Sequence, residues 1–287
     1  MKGILLAGGN GTRLKPLTNL ISKQLLPIYD KPLIFYSLSV LMLAGVREIA
    51  IVTKADQQPF FESLLGNGSN FGISITYFVQ EKPEGISQAF LICREFIMNQ
   101  PVMLVLGDNI FYGPGFGTSL EQMKTISGAQ IFAIKVDDPS QYGVVEINSD
   151  GMIIEIVEKP LESKSKLAIP GMYFFDSSVT SRAEKLTKSD RGEFEITSLI
   201  ETYQKDNSLK LNILPRGTTW FDCGTVNSMC DASSYVRVIE EKQGLKIGCI
   251  EEIAWRNGWI SHEMLSEIVD KYRESEYGNY LMKITEE

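Results

Sequence analysis

The feature that most narrows the fold is a rhythm in the first half of the chain. Residues 2–7 form a short apolar run suited to a buried strand. Residues 32–44 read as a helix, with proline in the first turn and Gly45 at the stop. Glu48–Thr53 reads as a strand, and Gln58–Leu65 as a helix that ends before the turn-rich Gly66-Asn67-Gly68-Ser69-Asn70. Residues 73–79 read as a strand, 87–97 as a helix and Val102–Leu106 as a strand. Strand–helix alternation at this spacing predicts βαβ units and a mainly parallel sheet.

After Gly107 the rhythm changes. Residues 130–136, Gly143–Ile147 and 153–157 read as strands, with Asn148-Ser149-Asp150-Gly151 as a hairpin turn between the last two. A strand at 171–175 precedes helices at 177–185 and 195–205, a strand at 209–214, and a helical stretch from residue 226 onward. No internal repeat, low-complexity tract or clear linker interrupts the 287 residues. The expectation is one α/β domain over 1–287 with strand insertions and a helical C-terminal appendage. A two-domain split near Asp222 is the alternative.

Composition bounds the function. Hydrophobic residues at 44% and charged residues at 22% suit a globular protein with a sizeable core. A net charge of −8 argues against nucleic acid as the main partner, since phosphate-backbone binders show basic excess. Small anionic substrates stay open, because local charge decides their binding. No stretch approaches the roughly 20 apolar residues of a membrane helix, and the N-terminal run is too short for a signal-peptide core. Cys93, Cys223, Cys230 and Cys249 show no CxxC pairing, and His262 is the single histidine. A zinc site is therefore not expected; reduced cysteines in a cytoplasmic protein without a membrane partner are.

The strongest chemical signal follows the first strand, at Gly8-Gly9-Asn10-Gly11-Thr12-Arg13-Leu14. Glycines let backbone N–H groups approach a phosphate chain closely, and Arg13 adds a planar, permanently charged fork. A plain tight turn is the simpler alternative. Leu14 stands where a dinucleotide fingerprint needs glycine, and no Gly-Lys-Ser/Thr run exists for a P-loop. Lys23 lies within reach of such a loop. Asp108 ends an apolar strand, where ligands of open α/β sheets gather and where a carboxylate suits Mg²⁺. Asp222 offers a second carboxylate, or else a helix cap. Glu158 and Lys159 end another strand; taken alone they are an ordinary surface ion pair.

Taken in order, Gly8 to Leu14, Ser22 to Pro27, Gly107 to Asn109, Tyr142 to Glu146, Glu158 to Pro160, Gly171 to Phe174, Glu193 to Thr197 and Trp220 to Thr225 form a constellation. It closely resembles the glucose-1-phosphate thymidylyltransferases of the sugar nucleotidyltransferase family. The likeness continues through Gln243 to Ile247 and Glu251 to Arg256, so it spans nearly the whole chain. Three departures occur, in Gly85-Ile86-Ser87-Gln88-Ala89, in Trp220-Phe221-Asp222-Cys223-Gly224-Thr225 and in Glu195-Ile196-Thr197-Ser198-Leu199-Ile200. None touches a candidate phosphate or metal ligand.

The resemblance implies a single Rossmann-like α/β/α domain with a mixed, mainly parallel central sheet. Residues 1–135 would be mainly the nucleotide part, 136–225 mainly the sugar part and 226–287 the helical appendage. It implies a triphosphate loop at Gly8, Gly11, Thr12 and Arg13, a further phosphate contact at Lys23, and a base site at Gln24, Gln80 and Gly85. Asp108 and Asp222 would hold Mg²⁺, with Asn109 nearby. Gly143, Glu158, Lys159, Ile169, Tyr173 and Trp220 would form the sugar-phosphate site. The implied catalytic set is Arg13, Lys159, Asp108 and Asp222. The implied reaction joins dTTP to α-D-glucose 1-phosphate, giving dTDP-glucose and pyrophosphate for deoxysugar supply, in a homo-oligomer that is commonly a tetramer. The alternatives are the same chemistry with UTP or another sugar 1-phosphate, and a silent nucleotide-sugar binder. A nicotinamide-dependent oxidoreductase is disfavoured by Leu14.

Overall fold

The computed structural model describes residues 1–121 and 126–286. In chain order the first half holds β1 (Lys2–Leu6), β2 (Pro27–Ile28), β3 (Lys31–Pro32), α1 (Leu33–Leu43), β4 (Glu48–Thr53), α2 (Gln58–Leu65), β5 (Ser74–Val79), α3 (Gln88–Ile92), α4 (Arg94–Ile97), β6 (Val102–Leu106), β7 (Asn109–Tyr112) and α5 (Phe116–Glu121). The second half holds β8 (Ala129–Lys135), β9 (Gly143–Ile147), β10 (Ile153–Glu158), β11 (Leu167–Ile169), β12 (Met172–Phe175), α6 (Val179–Ala183), α7 (Ile196–Lys205), β13 (Leu209–Ile213), β14 (Thr219–Asp222), α8 (Val226–Gln243), α9 (Ile250–Arg256), α10 (His262–Tyr272) and α11 (Glu276–Thr285).

The central sheet runs β10-β9-β11-β8-β12-β6-β1-β4-β5, with β13 also paired to β8. It is mixed. The ladders joining β5, β4, β1 and β6 are parallel, as is β13 on β8; those of β12, β11, β9 and β10 are antiparallel. β1 sits between β4 and β6. The chain winds outward from β1 through β4 to β5, then returns to the other side of β1 as β6. Such a reversal opens a crevice at the carboxyl ends of the strands, here where β1 runs into Gly8 and β6 into Asp108.

β1, β4 and β6 are apolar along their central residues because both of their faces are covered there. Leu5, Ile49, Ile51, Met103 and Val105 pack on one side with α1, α2 and the C-terminal helices. Ile4, Ala50, Val52, Val102 and Leu104 pack on the other with α3, α4, α6 and α7. Each fully buried Leu or Ile contributes about 1.5–3 kcal/mol. Helix α9 lies on α1, with α10 and α11 against α9. A buried charge cluster ties the N-terminal β2–β3 hairpin to α8: Lys31 Nζ lies 3.1 Å from Glu240 and Lys246 Nζ 3.0 Å from it, and Asp30 pairs with both lysines.

Several expectations need correction. The helix expected over 87–97 is two short ones, because Cys93, fully buried, leaves helical geometry at φ −93, ψ 14. The helix expected over 177–185 is confined to Val179–Ala183. Five short strands had no separate reading in the sequence: β2, β3, β7, β11 and β14. Of these, β7 and β14 form a ribbon apart from the main sheet.

Candidate active site

The β7–β14 ribbon assembles the centre. Asp222 pairs in register with Asn109, and the Cys223 N–H donates to the Asp108 carbonyl at 2.9 Å. Two aspartates far apart in sequence thus stand side by side at the mouth of the crevice. Lys23, carried on a short 3₁₀ turn (Lys23–Leu25), forms a close ion pair with the Asp108 carboxylate. Arg13 approaches from the glycine loop. A Cβ added to Gly224 would meet an Arg13 terminal nitrogen at 2.6 Å and Asp222 Oδ1 at 3.3 Å, so the absence of a side chain there admits the guanidinium beside Asp222.

The two carboxylates are unequal. Burial pushes the Asp108 pKa up, but attraction and a hydrogen bond from Lys23, with a further bond from the Asn109 amide, outweigh it and hold Asp108 below the usual carboxylate range. Lys23 is penalised by the same burial and raised overall by Asp108 and Asp222. Burial, reinforced by the negative charge of Asp108, pushes Asp222 up to about 6, with Lys23, Arg13 and Lys159 opposing. Asp222 is therefore a carboxylate whose charge is under-compensated, which is what a divalent cation relieves. Two carboxylates, with the remaining positions left to phosphate oxygens and water, suit Mg²⁺. Among the described residues no group of three or more acidic, His or Cys side chains forms a complete protein cage for a metal.

Asn109 organises one wall. It is 2% exposed. Its Oδ1 accepts from Trp220 Nε1 at 2.6 Å and from the Gly171 N–H at 3.0 Å, while its Nδ2 donates to Asp108 at 2.9 Å. Every polar atom of the amide is used, so the orientations of Asp108 and Trp220 are fixed together.

A cavity of about 200 Å³ opens from this wall. It gathers Arg13, Asp108, Asn109, Gly143, Glu158, Lys159, Ile169, Tyr173, Trp220 and Asp222, all sequence candidates. Gly143 keeps its floor open, since a Cβ there would approach Thr197 at 3.1 Å and Glu158 at 3.5 Å. Lys159 sits at φ 44, a left-handed conformation that costs a non-glycine residue about 1–2 kcal/mol, and its N–H is held by the Tyr142 carbonyl at 3.0 Å. Burial raises the Glu158 pKa, with Lys159 opposing and Glu195 adding to it. The pKa of the buried Tyr173 phenol is pushed far up by burial, then by Glu158 and Asp108.

The other candidates lie outside that cavity. Thr12 and Lys23 line a second hollow of about 440 Å³, beside Gly9, Lys15 and Lys54. The Lys23–Asp108 pair joins the two hollows. Gly11 adopts a left-handed φ of 58 against the Thr18 side chain. Gln24 and Gln80 are buried behind the loop, with Gln80 Oε1 lying against Gly8. Gly85, at φ 106, abuts the backbone of Phe194, where any side chain would collide at 2.5 Å.

Sequence reasoning missed Arg191, Tyr142, Thr197 and Lys54. Arg191 stands 3.5 Å from both Glu158 and Glu195. Its signal was available, since Arg191-Gly192 immediately precedes the Glu193 to Thr197 run. Tyr142 packs edge-on against Trp220 at 4.8 Å between ring centres, a contact no local pattern announces.

A family profile described as nucleotidyl transferase matches residues 2–238. The glucose-1-phosphate thymidylyltransferase of Mycolicibacterium smegmatis is 51% identical over 284 residues, covering 99% of both chains. The protein of that name from Neisseria meningitidis is 50% identical over 285 residues, again 99% of both. A Bacillus anthracis crystal structure described as a glucose-1-phosphate thymidylyltransferase, in complex with sucrose, superposes with a TM-score of 0.76 at 40% identity, covering 83% of this chain and 95% of that one. A UDP-glucose pyrophosphorylase bound to UDP-glucose superposes at 0.72 with 27% identity, covering 84% and 99%. The chain belongs to the nucleotidyl transferase family, on the branch of the glucose-1-phosphate thymidylyltransferases.

Proposed function

We propose that the chain transfers the thymidylyl group of dTTP to α-D-glucose 1-phosphate, giving dTDP-glucose and pyrophosphate. The observation that carries this reading is the convergence of Arg13, Lys23 and Lys159 on the Asp108–Asp222 pair. Both substrates are anions, and fixed cations aimed at the reacting phosphates offset their repulsion. The triphosphate lies along the loop from Gly8 to Arg13, with Lys23 as a second contact and the base toward Gln24, Gln80 and Gly85. The sugar phosphate enters the cavity of Gly143, Glu158, Lys159, Ile169, Tyr173 and Trp220. Residues 1–135 thus serve mainly the nucleotide and 136–225 mainly the sugar.

A phosphate oxygen of the sugar attacks the α-phosphorus. As that P–O bond forms, the bond to the β-phosphate oxygen breaks in line and pyrophosphate departs. The attacking phosphate is ionised at neutral pH, so no general base is needed. Arg13 meets negative charge growing at the α-phosphate, and Lys159, held in its strained conformation, positions the nucleophile. Asp108 and Asp222 would hold Mg²⁺, which when bound would supply Lewis-acid stabilisation to the transferring phosphate. Glu158 accepts from sugar hydroxyls. We further propose a homo-oligomeric, tetrameric assembly in the cytoplasm; among the described residues no helix is long and apolar enough to cross a membrane.

A second reading keeps the chemistry with UTP. It is supported by the structural likeness to a UDP-glucose pyrophosphorylase. The methyl that separates thymine from uracil is worth about 0.8 kcal/mol when buried. Pyrophosphate release with glucose 1-phosphate, compared between dTTP and UTP and across a panel of sugar phosphates, tests both. Release with dTTP above UTP supports the first reading, and the reverse order the second. No release with any pair would point to a silent binder.

A further inference from the structure

Gln80 is 3% exposed, and the relay of hydrogen bonds behind it is directional. The Glu84 backbone N–H, which can only donate, gives its hydrogen to Gln88 Oε1 at 3.1 Å. Gln88 Nε2 faces the Glu84 carboxylate, which accepts, at 3.2 Å. The far oxygen of that carboxylate is held by Lys188 at 2.6 Å. These fixed partners leave Gln88 one orientation: oxygen toward Gln80, nitrogen toward Glu84. The atom of Gln80 that meets Gln88 Oε1, at 2.7 Å, must then be its Nε2.

The consequence falls on the other side of Gln80. Its Oε1 is turned toward Gly8, where an added Cβ would lie only 2.1 Å from it. Gly8 opens the glycine loop, and among the described residues no group donates a hydrogen bond to this oxygen. Gln24 is different. Its amide oxygen meets only the Ser22 hydroxyl, at 2.6 Å. A hydroxyl can donate or accept, so Gln24 is free to present either end.

We infer that Gln88 sets base selectivity by locking the Gln80 amide, so that the base site offers a hydrogen-bond acceptor and takes a pyrimidine that carries N3–H. Thymine and uracil carry that donor. Cytosine presents a bare N3 and would face oxygen with a lone pair. Gln88 is a positioning residue: it acts through Gln80 and touches neither sugar nor phosphate. The inference rests on the proposed base site at Gln80, and it adds that the site separates diones from cytosine more strongly than thymine from uracil.

The test compares kcat/KM for dTTP and dCTP, with glucose 1-phosphate and Mg²⁺, in the full-length protein, in Gln88→Met and in Gln88→Glu combined with Glu84→Gln. Gln88→Met fills the same space but leaves the Gln80 amide free to turn. Its dTTP-to-dCTP ratio is expected to fall roughly ten- to a hundredfold, mainly through KM, because a site that no longer enforces one hydrogen-bond polarity loses that discrimination. Gln88→Glu, made together with Glu84→Gln so that no second carboxylate stands at the 3.2 Å contact, keeps an acceptor facing Gln80 and is expected to keep the ratio. A Gln88→Met ratio within about threefold of the wild type, or an equal loss in both variants, would overturn the role of Gln88 while leaving the transferase reading intact. Wild-type protein that turns over neither triphosphate would remove the transferase reading itself.

Discussion

Asp222→Asn in the metal-free protein should stabilise the fold while abolishing its chemistry. Asp222 is driven up from 3.8 to about 6 by burial and by its neighbour Asp108. Between those two values the folded chain holds a proton that the unfolded chain has released. The unfolded state then binds fewer protons, so stability falls as pH rises through this window and levels off above about pH 6. The cost of keeping the charge at neutral pH is about 3 kcal/mol, and the pull of Lys23, Arg13 and Lys159 is already included in it. An amide keeps the shape and removes the titration. Denaturant unfolding in a chelating buffer at about pH 7.5 should show the variant more stable by about 2–3 kcal/mol, or about 6 °C in Tm. The advantage should shrink toward zero by about pH 4. Saturating Mg²⁺ should reverse the order, because only the wild type gains from binding it. A variant less stable than the wild type without metal, or an advantage constant across this pH range, would refute the reasoning.

Further outcomes follow from the same geometry. Arg13→Ala and Lys159→Ala should each lower kcat roughly 10²–10³-fold with an unchanged circular dichroism spectrum; near-normal turnover in either would remove that residue from the mechanism. Asn109→Ala should cost about 2–3 kcal/mol, since it strands the buried Gly171 N–H and the Trp220 indole N–H, and urea unfolding measures the loss. Lys31→Met leaves the buried Glu240 with Lys246 and the Ile247 N–H as its partners and should cost about 2–3 kcal/mol by the same assay.

What could be read in the sequence, and what could not, divides along a physical line. Strands buried on both faces, such as β1, β4 and β6, announce themselves as apolar runs with turns at each end. α2 does so by period, and both α1 and α2 by their proline and glycine punctuation. Candidate residues at the ends of those strands, Gly8 to Arg13 and Asp108, were legible for the same reason. The meeting of Asp108 with Asp222 was implied by the family resemblance alone and by no local pattern. It depends on a ribbon of two four-residue strands, too short for any periodicity and paired across more than a hundred residues of chain. Arg191 could be suspected from its place before the Glu193 to Thr197 run, but its pairing with Glu158 could not, because that residue lies on a separate strand, β10. The break at Cys93 was hidden because a buried cysteine in an apolar helix looks like any other core residue.

The most direct test of the central claim follows the α-phosphate of dTTP. Radiolabelled at that position and incubated with glucose 1-phosphate, it should appear in dTDP-glucose with one pyrophosphate released per transfer. Transfer should require Mg²⁺ and vanish in Asp222→Asn. Label trapped on the protein, transfer that persists without divalent metal, or an Asp222→Asn variant as active as the wild type would contradict direct attack at a metal site built from Asp108 and Asp222.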